Sequence, residues 1–178
     1  MIQYVAASCA VVLTPPPRPS FVLILKTLQN MSKIVNGKEV TCAVVICDKN
    51  GSILGCHGTG KPQDSGYDFP KGLADEGEED INAAVRELYE EAGITIPPAF
   101  LVDCGVHPHN KQKNIHIFLY KVSDLSNFNV DSLRCITYFE LNGKHYPEVD
   151  GYKIISKEER NMFNKVLCNK FTIIDEKI

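Results

Sequence analysis

The chain has 178 residues, 44% hydrophobic and 23% charged, with 19 Lys+Arg against 22 Asp+Glu and a net charge of −3. This is the composition of a folded globular protein about one domain long, and it excludes a disordered chain, a collagen-like fibre and a long coiled coil. The charge balance leaves no overall basic surface to draw the chain to nucleic acid or a membrane, although it can hide a local acidic cluster.

From the N-terminus, residues 4–13 form an apolar run about half the length that spans a bilayer. No Lys or Arg precedes it, so it lacks the basic start of a signal peptide. Residues 14–20 carry four prolines and cannot continue a helix or a central strand. A second apolar run starts at Phe21, and Met31-Ser32-Lys33 reads as an alternative start. Residues 1–31 are therefore expected to be an appendage that function does not require, with a strand on the domain edge as the alternative. Residues 32–178 are expected to form one domain.

Within that domain, Thr41–Cys47 reads as a buried strand, Asn50-Gly51 as hairpin turn chemistry and Ser52–His57 as the return strand. Gly58 to Asp68 is a polar loop. Asp80–Ala92 is a helix, with Ile81, Ala84, Val85, Leu88 and Ala92 on one face, Asp80 as N-cap and Gly93 as stop. Strands follow at 100–107, 114–122 and 134–139. A second helix is expected over Ser156–Cys168, opened by a capping box of Ser156 and Glu159. Several strands with two distant helices indicate an α+β fold, an α/β/α sandwich around a mixed sheet. The seven cysteines include no C-x-x-C pair. Cys42, Cys47, Cys104 and Cys135 fall in apolar runs, as reduced core cysteines of a cytoplasmic protein do.

The chemistry concentrates in residues 69–96, FPKGLADEGEEDINAAVRELYEEAGITI. On the helix, Glu87, Glu90 and Glu91 share an arc about 100° wide. Like charges at that spacing repel, and the helix C-terminus disfavours anions. Acidic helix faces are commonly just solvated. This one makes sense as more than that if a hard cation such as Mg²⁺ or Mn²⁺ neutralises it. Gly72 and Gly77 let the preceding backbone come close to a metal or phosphate.

Gly72, Glu78, Arg86-Glu87-Leu88, Glu90-Glu91, Gly93 and Ile94 match the pattern G-x5-E-x7-R-E-U-x-E-E-x-G-U, with U apolar. A chance match is on the order of one in a million. The segment resembles the Nudix box at every fixed position, and Phe69-Pro70-Lys71-Gly72 resembles the lead-in of many members. The resemblance implies the Nudix sandwich and metal-dependent hydrolysis of a nucleoside diphosphate linked to another group. It implies Glu87, Glu90 and Glu91 as Mg²⁺ or Mn²⁺ ligands, with Gly72 lending backbone at the metal. Arg86 would orient a glutamate and Glu78 would assist metal or water placement. Pro147-Glu148-Val149-Asp150 resembles a loop found before the last helix in several branches, which makes Glu148 a candidate general base beside Glu90 and Glu87.

Substrate choice is less legible. Lys71 is a candidate phosphate contact, and Phe69 and Tyr67 are candidates for stacking on a base. Pro108 points to ADP-ribose, whereas the P-K-G lead-in points to dinucleoside polyphosphates such as diadenosine polyphosphate, or to capped RNA. The partner is expected to be a small nucleotide, with no membrane; an RNA 5′ end and a non-catalytic nucleotide-binding module stay as alternatives. A homodimer is admitted, but the sequence does not choose it over a monomer.

Overall fold

The computed structural model describes residues 31–178 and the backbone of one short strand, β1 (Val12–Leu13). The remainder of the N-terminal apolar runs, with the prolines between them, lies outside the described residues. β1 pairs antiparallel with Ile94–Thr95. The domain is already engaged at Met31, whose carbonyl accepts from the Glu76 amide at 2.7 Å, and at Lys33, whose amide donates to Ala74 at 2.8 Å.

β2 (Ile34–Val35) turns through Asn36-Gly37, both at positive φ, into the central strand β3 (Lys38–Asp48). β3 is buried from Val40 to Asp48, which is why it reads as a continuous apolar run: both of its faces are covered. The next strands are β4 (Ile53–Gly58), β5 (Lys71–Leu73), β6 (Ile94–Thr95), β7 (Val102–Pro108) and β8 (Lys113–Val122). β9 (Tyr138–Leu141) and β10 (Lys144–Pro147) make a separate hairpin, and β11 (Val149–Ile155) returns to the main sheet. The main order is β11-β4-β3-β8-β7, with β3 and β8 parallel and the other pairs antiparallel.

One irregularity shapes everything above it. β4 stays with β3 for a single pair, Cys47↔Ile53, and then splays away. The chain re-enters the opening after the 58–67 loop. Cys56 and Asp68 exchange two backbone bonds of 2.8 Å, the Val44 amide donates to Pro70 at 3.2 Å, and β5 pairs with Thr41–Ala43.

The sheet has a core on each face. Above it, α1 (Asp80–Ala92) sets Ala84, Leu88 and Ala92 against Cys42, Val44, Ile46 and Phe118. Below it, Ala43, Val45, Ile115, Ile117 and Leu119 meet Phe163, Leu167, Phe171 and Ile174. The fold is thus α+β, an α/β/α sandwich on a mixed sheet.

The lower layer differs from the expected helix over Ser156–Cys168. The capping box is there, but it opens a 3-10 segment, Lys157–Met162, followed by another, Lys165–Lys170, and by α2 (Phe171–Asp175). The break lies at Phe163, which is extended (φ −77, ψ 155). There Tyr67 donates to Met162 at 2.8 Å and accepts from the Asn164 amide at 2.7 Å. This parallel bridge takes bonds that a helix would need, and it drives Phe163 into a ring cluster with Phe69 and Phe171 at 5.4 and 5.3 Å. The Asn164 side chain then caps the next segment by accepting from Val166.

Two further expectations need correction. Residues 134–137 run as an extended link, and pairing begins only at Tyr138. The stretch Pro147-Glu148-Val149-Asp150, likened to a loop, instead runs into an edge strand that starts at Val149 and continues to Ile155. Among the described residues no helix is long and apolar enough to cross a membrane.

Candidate active site

α1 is capped by the extended Glu79, not by Asp80. The Asp80 carboxylate is engaged elsewhere, by Lys33 and by His116 Nδ1 at 2.7 Å. Gly93 ends the helix in the left-handed region, φ 69, with its amide on the Tyr89 carbonyl at 2.8 Å. The buried face is broader than the apolar stripe alone, because Ala83 and Glu87 also turn inward. Glu87 is 8% exposed. It fits because Gly72 stands opposite, where a Cβ would overlap the Glu87 carboxyl.

Arg86 ties the loop to the helix. Its Nε and Nη2 fork onto the two oxygens of Glu78 at 3.0 and 2.9 Å, and Nη2 also reaches the Leu73 carbonyl at 3.0 Å. Nη1 bonds Glu87 and lies 3.6 Å from Glu90. Glu78 also accepts from the Asp75 amide at 3.0 Å. Burial works against the Glu78 charge, but the Arg86 fork and that amide hold its carboxyl below the usual range. Such bidentate pairs fix geometry as well as charge.

Glu91 is the strained member. Burial, opposed by Lys71 and reinforced by the Glu87 and Glu148 charges, pushes its carboxyl up to about 8. One oxygen accepts the Lys71 amide at 3.0 Å. The Lys71 ammonium pairs with Asp68 at 2.6 Å. Burial disfavours that cation, yet Asp68 prevails and raises its pKa.

The helix end that carries Glu90 and Glu91 is docked by residues remote in sequence. Ile136 donates to the Glu90 carbonyl at 2.7 Å, the Tyr152 hydroxyl to the Glu91 carbonyl at 2.6 Å and the Arg134 amide to Ala92 at 3.4 Å. These bonds satisfy carbonyls that a helix terminus leaves open. Glu148 arrives by the same route. Its amide donates to Thr137 at 3.0 Å, its carbonyl accepts from Thr59 at 3.0 Å and its carboxylate accepts from the Thr137 hydroxyl at 3.1 Å. The docking roles of Thr137 and Tyr152 carried no sequence signal, because they come from where β11 and the 134–137 link pass.

The structure thus gathers Gly72, Glu78, Arg86, Glu87, Glu90, Glu91, Lys71 and Glu148 around the split between β4 and β5. It does not bring Phe69 there. That ring is 0% exposed in the lower core, because its side chain faces Phe163 and Phe171, so it has no surface to offer a base. Tyr67 is half-buried, edge-on to His57 at 6.0 Å, in a cleft of about 870 Å³ shared with Lys61 and Asp150. A second cavity of about 530 Å³, lined by Arg134, Tyr138 and Tyr152, lies on the other side of Asp150–Gly151.

Two features fit a divalent cation. Glu87 and Glu91 are oxygen donors, the class hard cations take, and they are crowded where an added positive charge would relieve Glu91. Gly72, whose carbonyl accepts from Thr41 at 3.0 Å, leaves a cradle beside the Glu87 carboxyl that a Cβ would fill. Among the described residues no three His, Cys, Asp or Glu side chains close on one point as a complete cage. A cation that keeps water and substrate oxygens in its shell does not require one.

A NUDIX domain profile matches residues 37–143. The chain therefore belongs to the Nudix family. An RNA pyrophosphohydrolase of Vibrio atlanticus (strain LGP32) is 37% identical over 72 residues, covering 40% of this chain and 40% of that protein. One from Haemophilus ducreyi is 38% identical over 60 residues, covering 34% and 29%. The match spans well under half the length of these curated relatives. A bifunctional NMN adenylyltransferase/ADP ribose pyrophosphatase of Francisella tularensis, solved with AMP and a Mn ion, superposes with a TM-score of 0.57 at 16% identity, covering 87% of this chain and 45% of that one. The NUDIX domain of Shewanella oneidensis NrtR, complexed with ADP ribose, gives 0.56 at 11%, covering 86% and 97%. These superpositions establish a shared fold.

Proposed function

We propose that the chain is a Mg²⁺- or Mn²⁺-dependent pyrophosphohydrolase that cleaves the anhydride of a nucleoside diphosphate joined to a second group, as in ADP-ribose or diadenosine polyphosphates. The observation that carries this reading is the pair of carboxylates on α1, Glu87 buried against a glycine that leaves room for it and Glu91 half-buried on the Lys71 amide, with Glu87 stiffened by the Arg86 fork. Stability alone gives a helix no reason to bury one acid and crowd a second beside it at its C-terminal half.

In this reading Glu87, Glu90 and Glu91 hold the cation, with the Gly72 carbonyl beside them. Bound there, it would neutralise phosphate oxygens and ease deprotonation of an attacking water. Arg86 and Glu78 keep Glu87 in place, Glu148 receives the proton, and Lys71 steadies Glu91 through its amide. Tyr67 is retained as the candidate base contact. A cytoplasmic setting belongs to the same proposal and is supported by the six free cysteines among the described residues.

The test combines titration calorimetry with Mn²⁺ and a turnover panel of ADP-ribose, diadenosine tetraphosphate and FAD. Mn²⁺ uptake and release of mononucleotide products are expected; no uptake and no turnover would sink the reading. A second reading, pyrophosphate removal from RNA 5′ ends, is supported by the names of the curated relatives. A 5′-triphosphate oligonucleotide in the same panel separates the two by kcat/KM.

A further inference from the structure

Thr137 is a wholly buried residue, 0% exposed, at the seam between the end of α1 and the strand that leads into β11. Its hydroxyl lies 3.1 Å from Glu148 Oε2 and 3.4 Å from the Glu90 carbonyl. A hydroxyl has one proton to give, and the shorter, charge-assisted contact is the one to the carboxylate. The main chain clamps the same three residues. The Thr137 amide points to the Glu90 carbonyl at 3.3 Å, and the Thr137 carbonyl accepts from Glu148 at 3.0 Å. Packing alone gives no reason for this hydroxyl, since valine has the same shape and a buried hydroxyl costs free energy unless it is used.

We infer that Thr137 is the positioning residue for Glu148. Its backbone is fixed to the turn that carries Glu90, and its hydroxyl fixes one oxygen of Glu148, so the direction of that carboxylate is set relative to Glu91 and its neighbours. Thr137 itself touches no substrate. The inference rests on the reading of Glu148 as the proton acceptor.

The experiment compares Thr137→Val, Thr137→Ser, Glu148→Gln and the Thr137→Val/Glu148→Gln double variant, using the panel substrate that the wild type turns over fastest with Mn²⁺. In Thr137→Val, kcat should fall by at least about tenfold, the worth of one charge-assisted hydrogen bond, with KM within about twofold. Thr137→Ser should recover most of the loss. The double variant should be no slower than Glu148→Gln, because residues that act as a unit are not additive. Mn²⁺ affinity by calorimetry should stay within about threefold in Thr137→Val, because the hydroxyl holds the base and not the cation. Melting temperatures are read throughout, and Thr137→Cys takes the place of Val if that variant unfolds.

An additive double variant, a Ser variant as slow as Val, unchanged kcat in Val, or a loss of Mn²⁺ affinity that matches the loss of kcat would each overturn the positioning role alone. Wild-type-like Glu148→Gln would remove the base assignment and this inference with it. A wild type with no turnover on any substrate would remove the functional reading as a whole.

Discussion

The two faces of the sheet are built by different rules. The upper face carries one regular helix whose end is docked by residues distant in sequence and whose acidic row, with Glu87 buried, packs against β5. The lower face is closed by two 3-10 segments and the short α2, held by an aromatic cluster and by Arg160. That guanidinium forks onto Asp175 at 2.9 and 2.7 Å and stands 4.8 Å over the Phe171 ring. The upper layer carries an electrostatic cost in its acidic row, and the lower layer supplies stability with ordinary apolar packing. Chemistry and stability should therefore respond to different substitutions.

The sharpest contrast is Glu91→Gln, which should lower kcat/KM by at least about 100-fold, because even outer-shell changes at metal sites cost 10–100-fold. Metal-free Glu91→Gln should melt no lower than wild type, since it removes a carboxyl whose ionisation burial opposes. A large fall in melting temperature with activity retained would erase the division between the faces.

The mirror experiment is Phe163→Ala. It should cost about 3–5 kcal/mol by denaturant unfolding, as expected for a buried ring, while folded protein at low temperature keeps kcat within a few-fold. A smaller effect is expected for Arg160→Ala, about 1–3 kcal/mol for charge-assisted bonds. The Arg160 hydrogen bonds, against opposing burial and with help from Lys157, hold the Asp175 carboxyl below its usual range. A carboxyl depressed in the folded state contributes stability above its unfolded value, and that contribution fades as pH falls through the folded one. The gap between wild type and Arg160→Ala at neutral pH should thus narrow below about pH 3.9 in a series of thermal melts. The smallest effect should come from starting the chain at Met31. Activity should persist within about twofold and melting should shift by a few degrees at most, since the described contact that is lost is the two-residue β1 pairing.

The same contrast explains what was legible beforehand. α1 is readable along its length and at its glycine stop because its periodicity and the box residues act locally, while its cap is Glu79 and not the expected Asp80, whose carboxylate Lys33 and His116 engage. Strand β3 is readable because burial on both faces leaves an apolar run, and β8 because Ile115, Ile117 and Leu119 recur at every second position. The lower layer was not, because the bridge between Tyr67 and Phe163 joins residues far apart and overrides a sound capping box. Phe69 illustrates the same limit. Gly72 and the Lys71 amide serve the site, whereas Phe69, three residues before Gly72 and so on the other face of the strand, sends its ring to the lower core. The docking roles of Thr137 and Tyr152 are illegible for a related reason, since a carbonyl at a helix end says nothing about which distant donor will serve it.

The splayed strand has one more consequence. β4 and β11 form a leaf joined to β3 by a single rung, while α1 is seated on β3, β5 and β8. Lengthening or recolouring residues 60–66 therefore reshapes the rim of the larger cleft, while Thr59 on Glu148 and Tyr67 on Met162 and Asn164 pin the two roots of that loop. What enters the cleft can diversify at the loop tip, whereas β11, whose Tyr152 hydroxyl docks the end of α1, has no such freedom.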